Sequence, residues 1–99
     1  MLLRQGDVLI MKTAGIPKGA AKLPHRTLAH GEITGHSHRV DESGDVELFE
    51  ADGTLFMRVK SEQATVVHQE HGPVVVPSGI YKVWRQREYS PKEIRVVRD

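Results

Sequence analysis

The chain has 99 residues, 38% of them apolar, with 14 basic and 13 acidic side chains for a net charge of +1. That length holds one hydrophobic core, so residues 1–99 are expected to form a single β domain, and the composition excludes a disordered chain and a strongly basic nucleic-acid domain. The absence of cysteine excludes disulfides, thiolate zinc sites and cysteine nucleophiles.

From the N-terminus, Met1-Leu2-Leu3-Arg4-Gln5-Gly6-Asp7 turns polar too early for a signal peptide. No apolar run approaches the roughly 20 residues that span a bilayer. The expected location is the cytoplasm. Gly6 to Met11 reads as a first strand. Ile16 to Leu23 reads as a loop, because Pro17 and Gly19 interrupt any helical turn. Asp45 to Glu50 alternates polar and apolar, and Thr54 to Lys60 follows Ala51-Asp52-Gly53. An Asp-Gly pair between two alternating runs predicts a β-hairpin. Ala64–His68, Pro73–Val76, Ile80–Gln86 and Glu93–Val97 complete the pattern. Valine enrichment suits half-buried pleated surfaces, and Pro73, Pro77 and Pro91 fall at run ends. The expected fold is all-β: a small antiparallel β-barrel or sandwich of seven to eight short strands.

Charge is uneven. Asp41, Glu42, Asp45, Glu47, Glu50 and Asp52 form an acidic stretch, whereas Lys82, Arg85, Arg87, Lys92, Arg95 and Arg98 dominate the C-terminal end. Solvated surfaces explain both. Association of one subunit's acidic patch with another's basic patch also explains them, and it would cover exposed strand edges in a homo-oligomer. Arg85, Arg87, Trp84 and Tyr89 are the candidate partner-binding residues. They also raise a third reading, single-stranded nucleic-acid binding. Strand alternation opposes it by placing Trp84 on the other face from Arg85 and Arg87.

Six histidines are many for this length. His36 and His38 stand two apart, so a strand would present both on one face. His68 and His71 stand three apart and converge only across a turn or bulge, which Gly72-Pro73 favours. On a strict strand Glu70 would share the face of His68 instead. His36, His38 and His68, with Glu70 or His71, are therefore candidate ligands. Imidazole and carboxylate suit a divalent transition metal such as zinc, iron, nickel or manganese, which could act on a small-molecule ligand. Exposed or hydrogen-bonded structural histidines are the bland alternative. Asp7, Glu32 and Glu88 are candidate catalytic carboxylates, but among 13 acids some pairing always looks suggestive.

These residues resemble the cupin pattern over residues 31–82. Gly31 precedes His36-Ser37-His38, and Glu42 follows as in the first cupin motif; Phe49 stands at that motif's closing glycine. Gly72 precedes Pro77-Ser78-Gly79 as in the second motif, with Lys82 in the place of its histidine. The resemblance implies a small barrel holding a metal, with His36, His38 and Glu42 as ligands and His68 or His71 replacing the missing histidine. The runs Arg4–Val8, Gly31–His38 and Gln86–Pro91 are also similar to those of small bacterial and phage-type proteins, a likeness that implies no activity. A non-catalytic, self-associating or partner-binding β module is the alternative to the metal reading.

Overall fold

A computed structural model describes residues 1–30 and 35–86. The fold is all-β. Eight strands run β1 (Leu2–Gln5), β2 (Val8–Lys12), β3 (Ala21–Leu23), β4 (Thr27–His30), β5 (Ser37–Val40), β6 (Val46–Ala51), β7 (Thr54–Val67) and β8 (Val74–Arg85). Every pairing is antiparallel, in the order β1-β2-β8-β7-β5-β4, with β6 joining β7 to β3. Among the described residues the sheet does not close on itself. It folds over as a small sandwich-like structure and not as the closed barrel that was the other expectation.

The hairpin at Asp52-Gly53 forms as expected. Ala51 pairs with Thr54, and both turn residues have positive φ, 53° and 79°. Those angles match the twist of the flanking strands, and Asp-Gly supplies them at low steric cost. Three expectations needed correction. Thr54–Lys60 and Ala64–His68 are halves of β7, and Pro73–Val76 and Ile80–Gln86 are halves of β8. The ladder between these strands skips from Val59 to Gln63 without ending. Ser61 holds the irregularity: its Oγ donates to the Gln63 carbonyl (2.8 Å) and accepts the Asp45 N–H (2.9 Å). Pro77 is tolerated inside β8 because β2, the strand on its other side, begins pairing only at Tyr81. The third correction concerns Gly6. It is not in a strand but shares with Asp7 the two-residue turn between β1 and β2, where Gln5 pairs with Val8. Strands β3 and β4 lie where a loop or no element was expected. The expected strand Glu93–Val97 lies outside the described residues.

β7 organises the core by changing partners. Its first half pairs with β6 through Thr54 to Val59, and its second half with β5 through Val66 and Val67. The two leaves close over Val8, Ile10, Leu48, Met57, Val66 and Tyr81, all essentially excluded from water. Hydrophobic burial of this kind is the main favourable term in the fold. Among the described residues the buried polar ones are Gln5 and His38, each 2% exposed. Both stand at the end of the sheet where β5, β7 and the β1–β2 turn meet.

Candidate functional site

Gln5 ends β1 with its side chain turned into the protein. Its Nε2 donates to the Val66 carbonyl (2.9 Å) and the Gly72 carbonyl (2.8 Å). Two acceptors at one end of the amide fix that end as the NH2 group. Oε1 therefore faces His38 Nδ1 at 2.9 Å and must accept. His38 thus carries a proton on Nδ1, and in the neutral ring Nε2 keeps a bare lone pair. The ring is neutral at ordinary pH: burial, reinforced by the neighbouring His68, lowers its pKa to about 4. Asp7 opposes that shift, while His71 and Arg85 add to it.

The bare Nε2 lies 3.6 Å from Asp7 Oδ1. Arg85 holds the other carboxylate oxygen, its Nε and Nη2 both donating to Oδ2 at 3.0 and 2.9 Å. Arg85 Nη1 also donates to the His30 carbonyl at 2.8 Å, so the β1–β2 turn and β4 together fix its guanidinium. An apolar cleft of about 270 Å³ adjoins this ion pair, between Leu28, Leu55 and Val83 and with Arg85 on its wall.

The other histidines gather round His38. The ring of His68 is 4.2 Å from that of His38, and His71 is 4.7 Å from His68 and 5.9 Å from His38. His36 meets His68 edge-on at 5.8 Å. The convergence has a local cause. β7 ends at Val67, so the chain turns between His68 and His71 instead of placing them on opposite faces. Gln69 pins this turn to the approach of β5, accepting from the Ser37 N–H and donating to the Gly35 carbonyl, both at 3.0 Å. His68 Nδ1 accepts the Glu70 N–H at 3.0 Å, so its own proton rests on Nε2. Burial lowers the His68 pKa, helped by His71 and His36. Glu70 Oε2 lies 3.7 Å from His36 Nδ1. His71 packs against the β1–β2 turn so closely that a Cβ on Gly6 would lie 2.6 Å from its Nε2.

The structure thus brings His36, His38, His68, His71 and Glu70 together. Glu42 stands apart on the exposed turn after β5. Gln5 has no local sequence signature, and Asp7 is one acid among many; both enter the site through the β1–β2 turn. The rings approach one another largely by their faces. Among the described residues, no three donor groups are arranged to hold a metal ion. Arg85 is turned inward and engaged by Asp7. Half-buried Trp84 faces the other way, with Lys82 Nζ 5.9 Å from its ring centre. Arg87 and Tyr89 lie outside the described residues, as do Glu32 and Glu88. Glu47, at the centre of the acidic stretch, is engaged within the chain by Lys22 and Arg58, each at 3.1 Å, and by Lys60 at 3.9 Å.

Residues 4–86 match the family described as a domain of unknown function (DUF8820), and the chain belongs to that family. No curated protein and no solved structure matches it.

Proposed function

We propose that the protein binds a divalent transition metal through its histidine cluster, and that the bound metal can polarise a small oxygen-bearing ligand. One observation carries the reading: four imidazoles from two chain segments, one of them buried, gather at the end of the sheet. A core has no need of this. Neutral imidazoles packed together bury polar nitrogens that an aliphatic cluster would not, whereas a metal ion uses their lone pairs. The donor set is rich in nitrogen, carries carboxylates and lacks thiolates, which suits zinc, iron or nickel, with manganese a harder alternative. Loading turns at least one ring from face contact to lone-pair contact. For His68 to coordinate through Nε2 its proton must move to Nδ1, releasing the Glu70 N–H.

The test is elemental analysis of untagged protein purified without chelator, beside a His36→Ala/His38→Ala variant, followed by calorimetric titration of both with zinc, iron, nickel and manganese. Near-stoichiometric metal in the wild type and its loss in the variant support the reading. A wild type that carries no metal and takes up none of the four named metals overturns it.

A further inference from the structure

The cleft beside the Asp7–Arg85 ion pair takes no part in the metal-binding reading. We propose that it is a binding site for a small monocarboxylate with a compact apolar body. The charged end of the ligand sits on Arg85, near Lys82, and its body between Leu28, Leu55 and Val83. The cleft lies on the Arg85 side of the Asp7 carboxylate and the histidines on the other, so the inference does not depend on a bound metal.

The cleft exists because β7 and β8 separate. Their ladder ends at Leu55 and Val83, while β8 runs on to Arg85. Trp84 and Arg85 therefore have no partner from β7. A space of about 270 Å³ is left between them, the hairpin at Gly53-Thr54 and Leu28 of β4. Its apolar walls are fixed, since Leu28 and Val83 belong to the core. A concave apolar surface with a few placed polar groups is the usual form of a small-molecule site.

The charged lining decides the class of ligand. Lys82 and Arg85 line the cleft, and no carboxylate among the described residues does. Asp7, outside the lining, neutralises Arg85. One positive charge is left over, which a monocarboxylate balances and a phosphate dianion would exceed. Arg85 also has donors to spare. A guanidinium carries five N–H groups. Asp7 and the His30 carbonyl engage three of them, on Nε, Nη2 and Nη1. The two that remain belong to a group already held in place, so binding a ligand costs little further ordering. A planar carboxylate suits the planar guanidinium better than it suits a lone ammonium.

Trp84 is the single tryptophan of the chain and borders the cleft, so its fluorescence reports occupancy. The full chain, freed of metal by chelator so that no ion at the histidines can hold the probe, is titrated with benzoate at neutral pH. Benzoate is expected to bind with a Kd of about 1 mM or tighter, a modest affinity for so small a ligand. Benzamide keeps the shape without the charge. It should bind at least about tenfold more weakly, the lower end for hydrogen bonds with a charged partner. Acetate keeps the charge without the apolar body and should also lose at least about tenfold. Inorganic phosphate should not compete. In amide NMR spectra the benzoate shifts should centre on Leu28, Leu55 and Val83. Arg85→Gln should bring benzoate and benzamide to similar affinity. Lys82→Met, which leaves the Asp7 pair intact, should weaken benzoate about two- to fivefold. The wild-type series decides the matter even if Arg85→Gln fails to fold. Equal binding of benzoate and benzamide, shifts centred away from the cleft, or no response at about 10 mM benzoate overturns the proposal. Trp84 fluorescence that changes on dilution of the protein alone, with no response to benzoate, assigns the cleft to a second copy of the chain and overturns it too.

Discussion

Acidification should destabilise the metal-free protein well above the pH at which carboxylates titrate, and His38 should be the main reason. Its ring is neutral in the fold, with a pKa near 4, and free to protonate at about 6.5 once unfolded. Between those values the unfolded chain holds more protons than the folded one, so stability rises with pH across the window and falls on acidification. Linkage puts the loss relative to pH 7.5 at about 1 kcal/mol at pH 6, about 2 at pH 5 and about 3 at pH 4. The charged and titratable groups facing the ring are His68, His71, Asp7 and Arg85; Asp7 alone favours the proton. The lowered pKa of His68 acts in the same direction. Asp41 and Glu47 also have lowered pKa values, set mainly by Ser43 and Lys22, but they lose their contributions only at more acid pH. Urea unfolding in chelator from pH 7.5 to 4.5 isolates the histidine effect. With an m value of about 1 kcal/mol/M, the lower end for small proteins, the midpoint should drop by about 2 M at pH 5. A His38→Gln variant should have a flatter profile. Parallel profiles for the two proteins, or a His38 NMR titration midpoint near 6.5, would refute the argument.

Three further substitutions test the packing. Gly44→Ala should cost about 1–3 kcal/mol in urea unfolding, as overpacking does. Its Cβ would lie 2.8 Å from Ala64 Cβ, 3.0 Å from Ala64 Cα and 3.1 Å from the Gln63 carbonyl, so backbone has to yield. Gly15→Ala, with nothing within 4 Å of the added methyl, should change stability by less than about 0.5 kcal/mol. Gln5→Leu strands the Val66 carbonyl and the His38 Nδ1–H while the Gly72 carbonyl can turn to water. Two buried orphans at about 1–2 kcal/mol each predict a loss of about 2–4 kcal/mol. A thermal melt within a degree or two of wild type would show that Gln5 does not hold His38.

What could be read from the sequence divides along local and non-local lines. The Asp52-Gly53 hairpin was legible because both its signals, the turn pair and the alternation, lie within a dozen residues. The continuity of β7 through Lys60–Glu62 was not, because Asp45 helps hold that irregularity from the residue before β6: it accepts the Lys60 N–H and donates to Ser61. The histidines show the same divide. Spacing alone suggested that His36 and His38 act together and that His68 and His71 need a turn. Whether the pairs meet depended on the β5–β7 register, in which Arg39 faces Val67 and Val40 faces Val66. Continued by one step, that register sets His38 opposite His68, and their rings are in contact. A slip of one residue would have turned His38 outward and buried Arg39 in its place.

Gln5 and Asp7 were obscured for a different reason. Reading Gly6–Met11 as one strand hid the turn that delivers them. With β1 taken as Leu2–Gln5, alternation places Gln5 on the same inward face as Leu3. A polar side chain at an inward position must find partners or destabilise the fold. Gln5 finds three, and through one of them it decides which nitrogen of His38 is left bare. The charged patches could not be weighed from sequence either, because their content depends on what they already hold. Arg85 is paired with Asp7, and Glu47 with Lys22 and Arg58, within the chain itself. The site is thus assembled by three pieces of chain: the β1–β2 turn, the edge of β5 and the turn after β7. The side chain that joins all three is one buried amide.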